Sequence, residues 1–104
     1  MIIVCASGGG LLAGTTMVSR AVRPDMRVIG VQSSASPSYG YADDTGQSVR
    51  FRQESTIADA LTAPYFGQTH YEECTALGVD DVITVDDEHL IEALRFSHEN
   101  EVGC

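Results

Sequence analysis

The chain has 104 residues, 43% hydrophobic and 20% charged, which suits one small folded domain over residues 1–104 and excludes a disordered tail. Its 15 acidic and 6 basic residues give a net charge of −9, which argues against nucleic acid and anionic membranes as partners. No apolar run approaches the ~20 residues of a membrane span, and three cysteines without close spacing fit a reducing cytoplasm. All six basic residues are arginine, so the 104 residues alone cannot use a mechanism that needs a lysine amine.

The two halves of the chain differ in charge. Residues 1–50 hold four Arg and three Asp, whereas residues 51–104 hold two Arg and twelve acidic residues. The first half therefore has a net charge of +1 and the second a net charge of −10. We expect a small anion to be received better by the first half.

The first thirty residues have the pattern of a strand, a helix and a second strand. Met1–Ala6 is a continuous apolar run, which predicts a strand buried on both faces. Leu11–Val22 has apolar residues spaced for one helical face, and Pro24 ends this predicted helix. Arg27–Gln32 is a second apolar run of strand length. A βαβ unit of this size predicts two parallel strands with a right-handed crossover.

The middle of the chain predicts shorter elements. Pro37–Asp44 predicts a short helix, and the alternation in Gln47–Arg52 predicts an edge strand. Thr56 and Asp59 have the spacing of a capping box, which predicts a helix that continues through Ala63.

The last third of the chain completes the predicted sheet. Thr69–Leu77 predicts a helix that ends at Gly78, and Asp81–Val85 predicts a third buried strand. Asp86 can cap a final helix that runs to about Glu99. The predicted class is therefore α/β: a three-layer βαβ domain with a small, mainly parallel sheet flanked by helices. The helices at residues 11–22 and 87–99 are expected to pack on that sheet.

The turn after the first strand, Ser7-Gly8-Gly9-Gly10, is the main candidate for chemistry. Without Cβ atoms its backbone can approach an anion closely, and the following helix directs its N-terminal amides at the same point. The alternative is a permissive turn in which glycine only relieves strain. The spacing is neither that of a Walker A loop nor that of a dinucleotide-binding motif, and Gln32 stands where the latter needs an acid.

Five segments of the chain, taken in order, resemble the threonine dehydratase and serine racemase group of pyridoxal-phosphate enzymes, which have fold type II. They are Ala6–Gly14, Arg23–Val31, Ala35–Ser38, Thr56–Asp59 and Val79–Glu88. The resemblance extends from residue 2 to about residue 97 and implies the second half of that family's large cofactor domain.

The resemblance implies a cofactor site at the glycine turn. Its implied ligands for the 5′-phosphate of the cofactor are Ser7, Gly8, Gly9, Gly10 and Leu11. The family's Schiff-base lysine, and the asparagine that contacts the pyridoxal hydroxyl, belong to an earlier part of the family's domain. The polar residue that faces the pyridine nitrogen lies beyond the last residue of this chain. The resemblance therefore implies a phosphate loop without the reactive amine.

Two further departures from the family concern other contacts. Ala60 stands where the family's Thr-Ile-Ala-Asp-Gly motif has a glycine at the cofactor. Gln32, Ser36 and Ser38 stand at positions that are Glu, Ala and Asp in racemase-like members with a divalent-cation site. The changed ligand chemistry predicts no metal site here.

The remaining reactive side chains predict no catalytic residue. The histidines at positions 70, 89 and 98 share no metal-ligand spacing and are interpreted as solvated helix residues. Cys5 is predicted to be an inert core thiol. Cys74 follows Glu72 and Glu73, whose charges should raise its pKa. Ser7 has no neighbouring base in its motif.

Three hypotheses follow for function. The first is a non-catalytic domain that retains an anion pocket for pyridoxal phosphate or inorganic phosphate, bound non-covalently. Its unpaired strand edges and apolar sheet face predict a homo-oligomer, with a dimer as the first expectation. The second is a subunit or fragment of a pyridoxal-phosphate-dependent threonine or serine dehydratase, completed in trans by a lysine-bearing chain. The third is a structural or interaction module in which the loop is silent.

Overall fold

A parallel three-stranded sheet forms the centre of the fold. The computed structural model describes residues 1–100. The strands β1 (Ile2–Cys5), β2 (Val28–Ser33) and β3 (Asp81–Val85) lie in the order β1-β2-β3. Ile3 pairs with Ile29, which in turn pairs with Asp81. The predicted parallel pairing and the α/β class are confirmed.

Four α-helices connect and follow these strands. They are α1 (Gly10–Val22), α2 (Ser38–Thr45), α3 (Gln68–Leu77) and α4 (Asp87–Glu99). The predicted stop signal of α3 is confirmed, because Gly78 has a φ of 72°. The predicted cap of α4 is also confirmed, because the Asp86 carboxylate accepts from the His89 N–H. None of the helices in residues 1–100 is long and apolar enough to cross a membrane.

The core lies on one face of the sheet, under α1 and α3. Leu12 and Val28 are fully buried there, together with Phe66 at the start of the segment that leads into α3. A Cβ on Gly30 would lie 2.9 Å from a Leu12 methyl group, so the absence of a side chain on β2 lets α1 pack closely. Tyr39 stacks edge-on against Phe66, with ring centroids 5.3 Å apart.

The side chain of Arg20 links α1 to the residues just before β3. Its guanidinium donates to the carbonyl oxygens of Met26, Leu77 and Gly78 at 2.6, 3.0 and 2.8 Å. It also donates to the Asp80 carboxylate at 2.9 Å. The Val28 N–H and Arg20 both bond to that carboxylate and lower its pKa. This network explains why the α3–β3 connection lies against the end of α1.

No residue in 1–100 covers the opposite face of the sheet, which corrects the predictions that β1 is buried on both faces and that β3 is a buried strand. Side chains alternate along a strand, so Ile3, Cys5 and Ile83 share the face away from α1. Ile3 is 62% exposed and Ile83 45%, and Cys5 is exposed rather than a core thiol. The prediction that the last helix packs on the sheet is also wrong, because α4 buries none of its residues.

The predicted edge strand at Gln47–Arg52 is absent. The backbone of this segment bonds to a loop instead of the sheet: Ser48 N–H donates to the Gln68 side chain at 2.6 Å, and Phe51 N–H donates to the Pro64 carbonyl at 3.0 Å. Its alternating pattern was therefore misleading, because the polar and apolar positions face a local loop and not a neighbouring strand.

The predicted capping-box helix from Thr56 to Ala63 is reduced to one 3-10 turn, Asp59–Leu61. The Thr56 hydroxyl accepts from the Ala58 N–H at 3.1 Å and donates to the Asp87 carboxylate, so it is not available to cap a helix. Competition from these local bonds explains the difference.

Candidate anion-binding site

Glycine is required at the centre of the turn between β1 and α1. Gly9 has a φ of 103°, a conformation that residues with side chains rarely adopt. A Cβ at this position would also lie 2.6 Å from the Phe66 ring and 2.9 Å from the His70 Cβ. Conformation and space both exclude a side chain at Gly9, which is buried against Phe66 and His70, whereas Gly8 and Gly10 are exposed.

The carbonyl oxygens of the turn are already bonded. The Ser38 hydroxyl donates to the Ser7 carbonyl, Gly67 N–H to the Gly8 carbonyl at 2.9 Å, and Ala13 N–H to the Gly9 carbonyl at 2.9 Å. Each oxygen that could repel an anion therefore has a donor. The first turn of α1 has no side-chain cap and no acidic residue, so its amides remain suited to an anion.

The Ser7 side chain is bonded elsewhere and that of Leu11 is apolar, so only the backbone amides of these two residues are suited to an anion. Ser7 Oγ accepts from the Ala63 N–H at 3.0 Å, which fixes its side chain against the loop after the 3-10 turn. Leu11 is 67% exposed and extends away from the core. The structure thus brings all five predicted ligands, Ser7 to Leu11, into one turn. Whether they hold a ligand stays a prediction at this stage.

A cleft of about 500 Å³ opens beside the turn. We call it the Arg50 cleft; its lining includes Gly8, Arg50, Tyr65, Gly67 and His70. The Arg50 guanidinium lies 5.2 Å from the centre of the Tyr65 ring, within range of a cation–π interaction. The sequence pattern does not single out Arg50, because the alternation in residues 47–52 indicates a strand and not a loop.

His70 was interpreted from the sequence as a solvated helix residue, and the structure corrects this. Its side chain is 42% exposed, but Nδ1 is buried and has no hydrogen-bond partner among the described residues. Nε2 would lie 3.7 Å from a Cβ on Gly10, at the start of α1. The signal that could have found it is its position three residues after Gly67, in the first turn of a helix that faces the glycine turn.

The polar residues at the positions of the family's cation site form hydrogen bonds with other residues of this chain. Gln32 accepts from the Tyr39 and Gly40 N–H groups and donates to the Thr84 hydroxyl at 2.9 Å. The Ser36 hydroxyl donates to the Ala63 carbonyl at 3.0 Å. Two backbone donors thus occupy Oε1 of Gln32, the atom of this side chain that a cation would need. The expected absence of a metal site stays a prediction.

Two buried groups near the core are poorly suited to proton transfer at neutral pH. Burial raises the pKa of Tyr39 to about 12, with a further contribution from Asp43. Burial and then Glu73 raise the pKa of the Cys74 thiol to about 11, which confirms the predicted direction and adds burial as the larger cause.

Comparison with known proteins identifies the family. A family model described as "Pyridoxal-phosphate dependent enzyme" matches residues 1–101. The chain belongs to this family. It is 35% identical over 94 residues to the phenylserine dehydratase of Ralstonia pickettii, covering 90% of this chain and 28% of that protein. It is 31% identical over 98 residues to the serine racemase of Oryza sativa subsp. indica, covering 94% and 28%.

The structural neighbours agree. Maize serine racemase has a TM-score of 0.83 at 31% identity, covering 93% of this chain and 30% of that one. A threonine deaminase from T.th. has a TM-score of 0.82 at 29% identity, covering 91% and 34%. The resemblance to the threonine dehydratase and serine racemase group is confirmed. The chain spans about a third or less of the length of these relatives.

The described residues fit one end of the family's cofactor. The glycine turn, with its bonded carbonyls and uncapped helix, suits the phosphate group. No residue in the 104 offers a lysine amine for the aldehyde end. The fit is therefore to a non-covalently held phosphate.

Proposed function

We propose that this chain binds pyridoxal phosphate or inorganic phosphate non-covalently at the glycine turn, and that the 104 residues alone turn over no amino acid. The bonded carbonyls of the turn and the uncapped N-terminus of α1 carry the first part of this proposal. The absence of lysine from the sequence carries the second. Bound pyridoxal phosphate would supply an electron sink for amino-acid chemistry; this chain would supply the phosphate site.

The electrostatics of the first helix support anion binding. The partial positive charge at the N-terminus of α1 is not offset by an acidic side chain in its first turn. Residues 1–24 contain no Asp or Glu at all, although the whole chain has a net charge of −9. The segment that forms the turn and α1 therefore places no acidic side chain of its own beside an anion.

Phosphate titration followed by NMR tests the proposed site. The amide signals of residues 7–11 should move most, and Gly9→Val should abolish the effect because a β-branched side chain cannot adopt this φ or fit beside Phe66. Gly14→Val is the matched control, because a Cβ there meets open space. Shifts spread evenly over the chain would overturn the proposal. If Gly9→Val does not fold, the wild-type amide map decides alone.

An assay with serine and threonine tests the lack of turnover. The purified chain with added pyridoxal phosphate should release no ammonia above a control of buffer and cofactor, because no lysine is present. Borohydride reduction should likewise leave no cofactor attached to a side chain. Release of ammonia by the pure chain would contradict the proposal.

The second candidate is a dehydratase completed in trans, favoured by the coverage of only 28% of the first two relatives compared. A lysine-bearing chain encoded nearby should then restore ammonia release when mixed with this one. Such restoration would favour the second candidate over a stand-alone binding domain. If neither anion binding nor restoration is seen, a structural module with a silent loop is the remaining hypothesis.

We also propose that two copies associate through the free edge of β1. An edge strand has unpaired backbone N–H and C=O groups. Two β1 strands that pair antiparallel about a twofold axis would form hydrogen bonds between these groups. The two edges of the sheet differ in charge: β1 lies in the acid-free residues 1–24, whereas β3 begins at Asp81 and is followed by Asp86 and Asp87. Two copies can therefore meet at β1 without acidic repulsion.

Sedimentation equilibrium at micromolar concentration tests this association. Ile3→Glu should give monomers, since two like charges would face each other near the middle of a short β1 pair. Ile83→Glu is the matched control: it adds the same charge to an exposed isoleucine on the same sheet face, but on β3. A wild-type chain that stays an 11.1 kDa monomer at every concentration would contradict the proposal.

A further inference from the structure

We propose that the oxyanion at the glycine turn is also bound by two side chains, the Arg50 guanidinium and Nε2 of His70. This rests on the proposed function and adds ligands to it. The ligand class is a phosphate monoester or inorganic phosphate, whose several terminal oxygens can accept from backbone amides and side chains together.

His70 lies against three glycines of the site. Its Cβ is 2.9 Å from the place of a Cβ on Gly9, and its Nε2 is 3.7 Å from the place of a Cβ on Gly10. Its Cδ2 is 2.8 Å from the place of a Cβ on Gly67. A Cβ on Gly9 or Gly67 would crowd the His70 side chain, whereas Nε2 would be in ordinary contact with a Cβ on Gly10. The imidazole therefore has a fixed position, with Nε2 at the N-terminus of α1.

Nε2 is the nitrogen of His70 that lies at the N-terminus of α1, where an anion can meet it. Nδ1 is buried without a hydrogen bond among residues 1–100, and the nearest acidic oxygen, Glu73 Oε2, lies 4.0 Å away. A protonated ring would donate from Nε2 to the anion and direct Nδ1–H toward Glu73. An anion at the turn would thus give this otherwise poorly bonded side chain a role.

Arg50 approaches from the other wall of the Arg50 cleft. The Ser48 N–H donates to the Gln68 side chain at the start of α3, and the Phe51 N–H donates to the Pro64 carbonyl in the preceding loop. The Tyr65 ring lies under the guanidinium, 5.2 Å from its centre. These contacts hold an otherwise exposed cation beside Gly8. Arginine suits this role because its planar fork donates two parallel bonds to a phosphate.

The test compares two arginines and two histidines in phosphate titrations at constant ionic strength. Arg50→Ala should weaken inorganic phosphate binding about tenfold, the effect of one lost charge-assisted bond. Arg52→Ala should change it less than about twofold, because it removes the same charge from an exposed position two residues away. His70→Gln should bind more tightly than His70→Ala, since an amide keeps one donor, and His98→Ala is the histidine control.

A second readout separates contact from long-range charge. The ring proton signals of His70 should move on phosphate addition, and those of His89 and His98 should not. Pyridoxal phosphate and inorganic phosphate are titrated separately: equal losses in Arg50→Ala indicate a site for the phosphate group, and a loss only for pyridoxal phosphate contradicts that assignment.

The outcomes distinguish this proposal from the proposed function. If the wild type binds phosphate and Gly9→Val abolishes binding, yet Arg50→Ala and His70→Ala behave like their controls, the side-chain ligands are wrong and the turn site stands. If the wild type binds no phosphate, both proposals fail. Circular dichroism of each variant ensures that folded proteins are compared.

Discussion

The helices α1 and α4 are each 13 residues long and amphipathic, yet they differ in what they bury. α1 buries Leu12, Ala13, Thr16 and Ser19, whereas α4 buries nothing, and its Leu94 is 57% exposed. α1 connects two adjacent parallel strands, so the crossover itself places it on the sheet. Ile57 and Ala58 line a cleft together with Leu90 and Leu94 of α4, but no described residue buries this side of the helix. An amphipathic pattern therefore predicts a helix, but its burial depends on a partner.

Matched leucine substitutions give the largest expected difference between the two helices. Leu12→Ala should lower the free energy of unfolding by about 3 kcal/mol, because it leaves a cavity beneath α1. Leu94→Ala should lower it by less than about 0.5 kcal/mol, because this side chain is mostly exposed. Urea denaturation at equal protein concentration measures both.

Equal losses of unfolding free energy in the two leucine variants would contradict the difference in burial between α1 and α4. They would mean that α4 is packed in solution, against a second copy or another part of the protein. Repeating the Leu94→Ala measurement over a range of concentrations distinguishes these cases, since only an intermolecular contact becomes weaker on dilution.

The regular parts of the fold could be predicted from the sequence because their signals are local. The apolar run of β1, Gly78 after α3 and Asp86 before α4 each specify a backbone state within a few residues. The segment from Gln47 to Ala63 could not be predicted in this way. Its hydrogen bonds reach residues such as Pro64, Gln68 and Asp87, and this long-range competition overrides alternation and capping patterns.

The candidate site likewise has one part that local sequence signals predict and another that depends on long-range contacts. The glycine turn could be predicted because three consecutive glycines after a strand have a local mechanical meaning. Arg50 and His70 could not, because they reach the turn from two separate segments. The contacts of Phe66 and Gly67 with the turn hold the start of α3, and with it His70, beside Gly9.

Substitutions of Arg20, near the C-terminal end of α1, and of Arg95 on α4 extend the comparison of the two helices. Arg20→Ala should lower the free energy of unfolding by about 2 kcal/mol, because the carbonyls of Met26, Leu77 and Gly78 lose their shared donor. Arg95→Ala on α4 removes the same charge from an exposed position and should have little effect. Arg20→Lys should recover only part of the loss, since an ammonium cannot reach these acceptors with the same planar geometry. Full recovery by lysine would show that charge alone matters.

Acid titration tests the carboxylate partner of Arg20. The pKa of Asp80 is lowered by the Val28 N–H and by Arg20, so its ionised form stabilises the folded state. That stabilisation is present above the ordinary aspartate pKa of about 3.9 and is lost as pH falls through the lower folded value. Asp80→Asn should flatten the dependence of stability on pH in this range. An unchanged dependence would mean that other carboxylates cause it.

The smallest expected effect concerns how the two helices begin. α1 starts at glycine without a side-chain cap, whereas the Asp86 carboxylate accepts from His89 N–H at 3.0 Å at the start of α4. The His89 backbone and ring lower the pKa of Asp86, so its cap should persist above the ordinary aspartate pKa and weaken as pH falls through the lower folded value. Asp86→Ala should speed amide hydrogen exchange in the first turn of α4, and Asp86→Asn should restore most of the protection, because asparagine also caps well. The first turn of α1 serves as the internal control. Exchange that changes equally at both helices would mean that the substitution acts on the whole fold instead of on one cap.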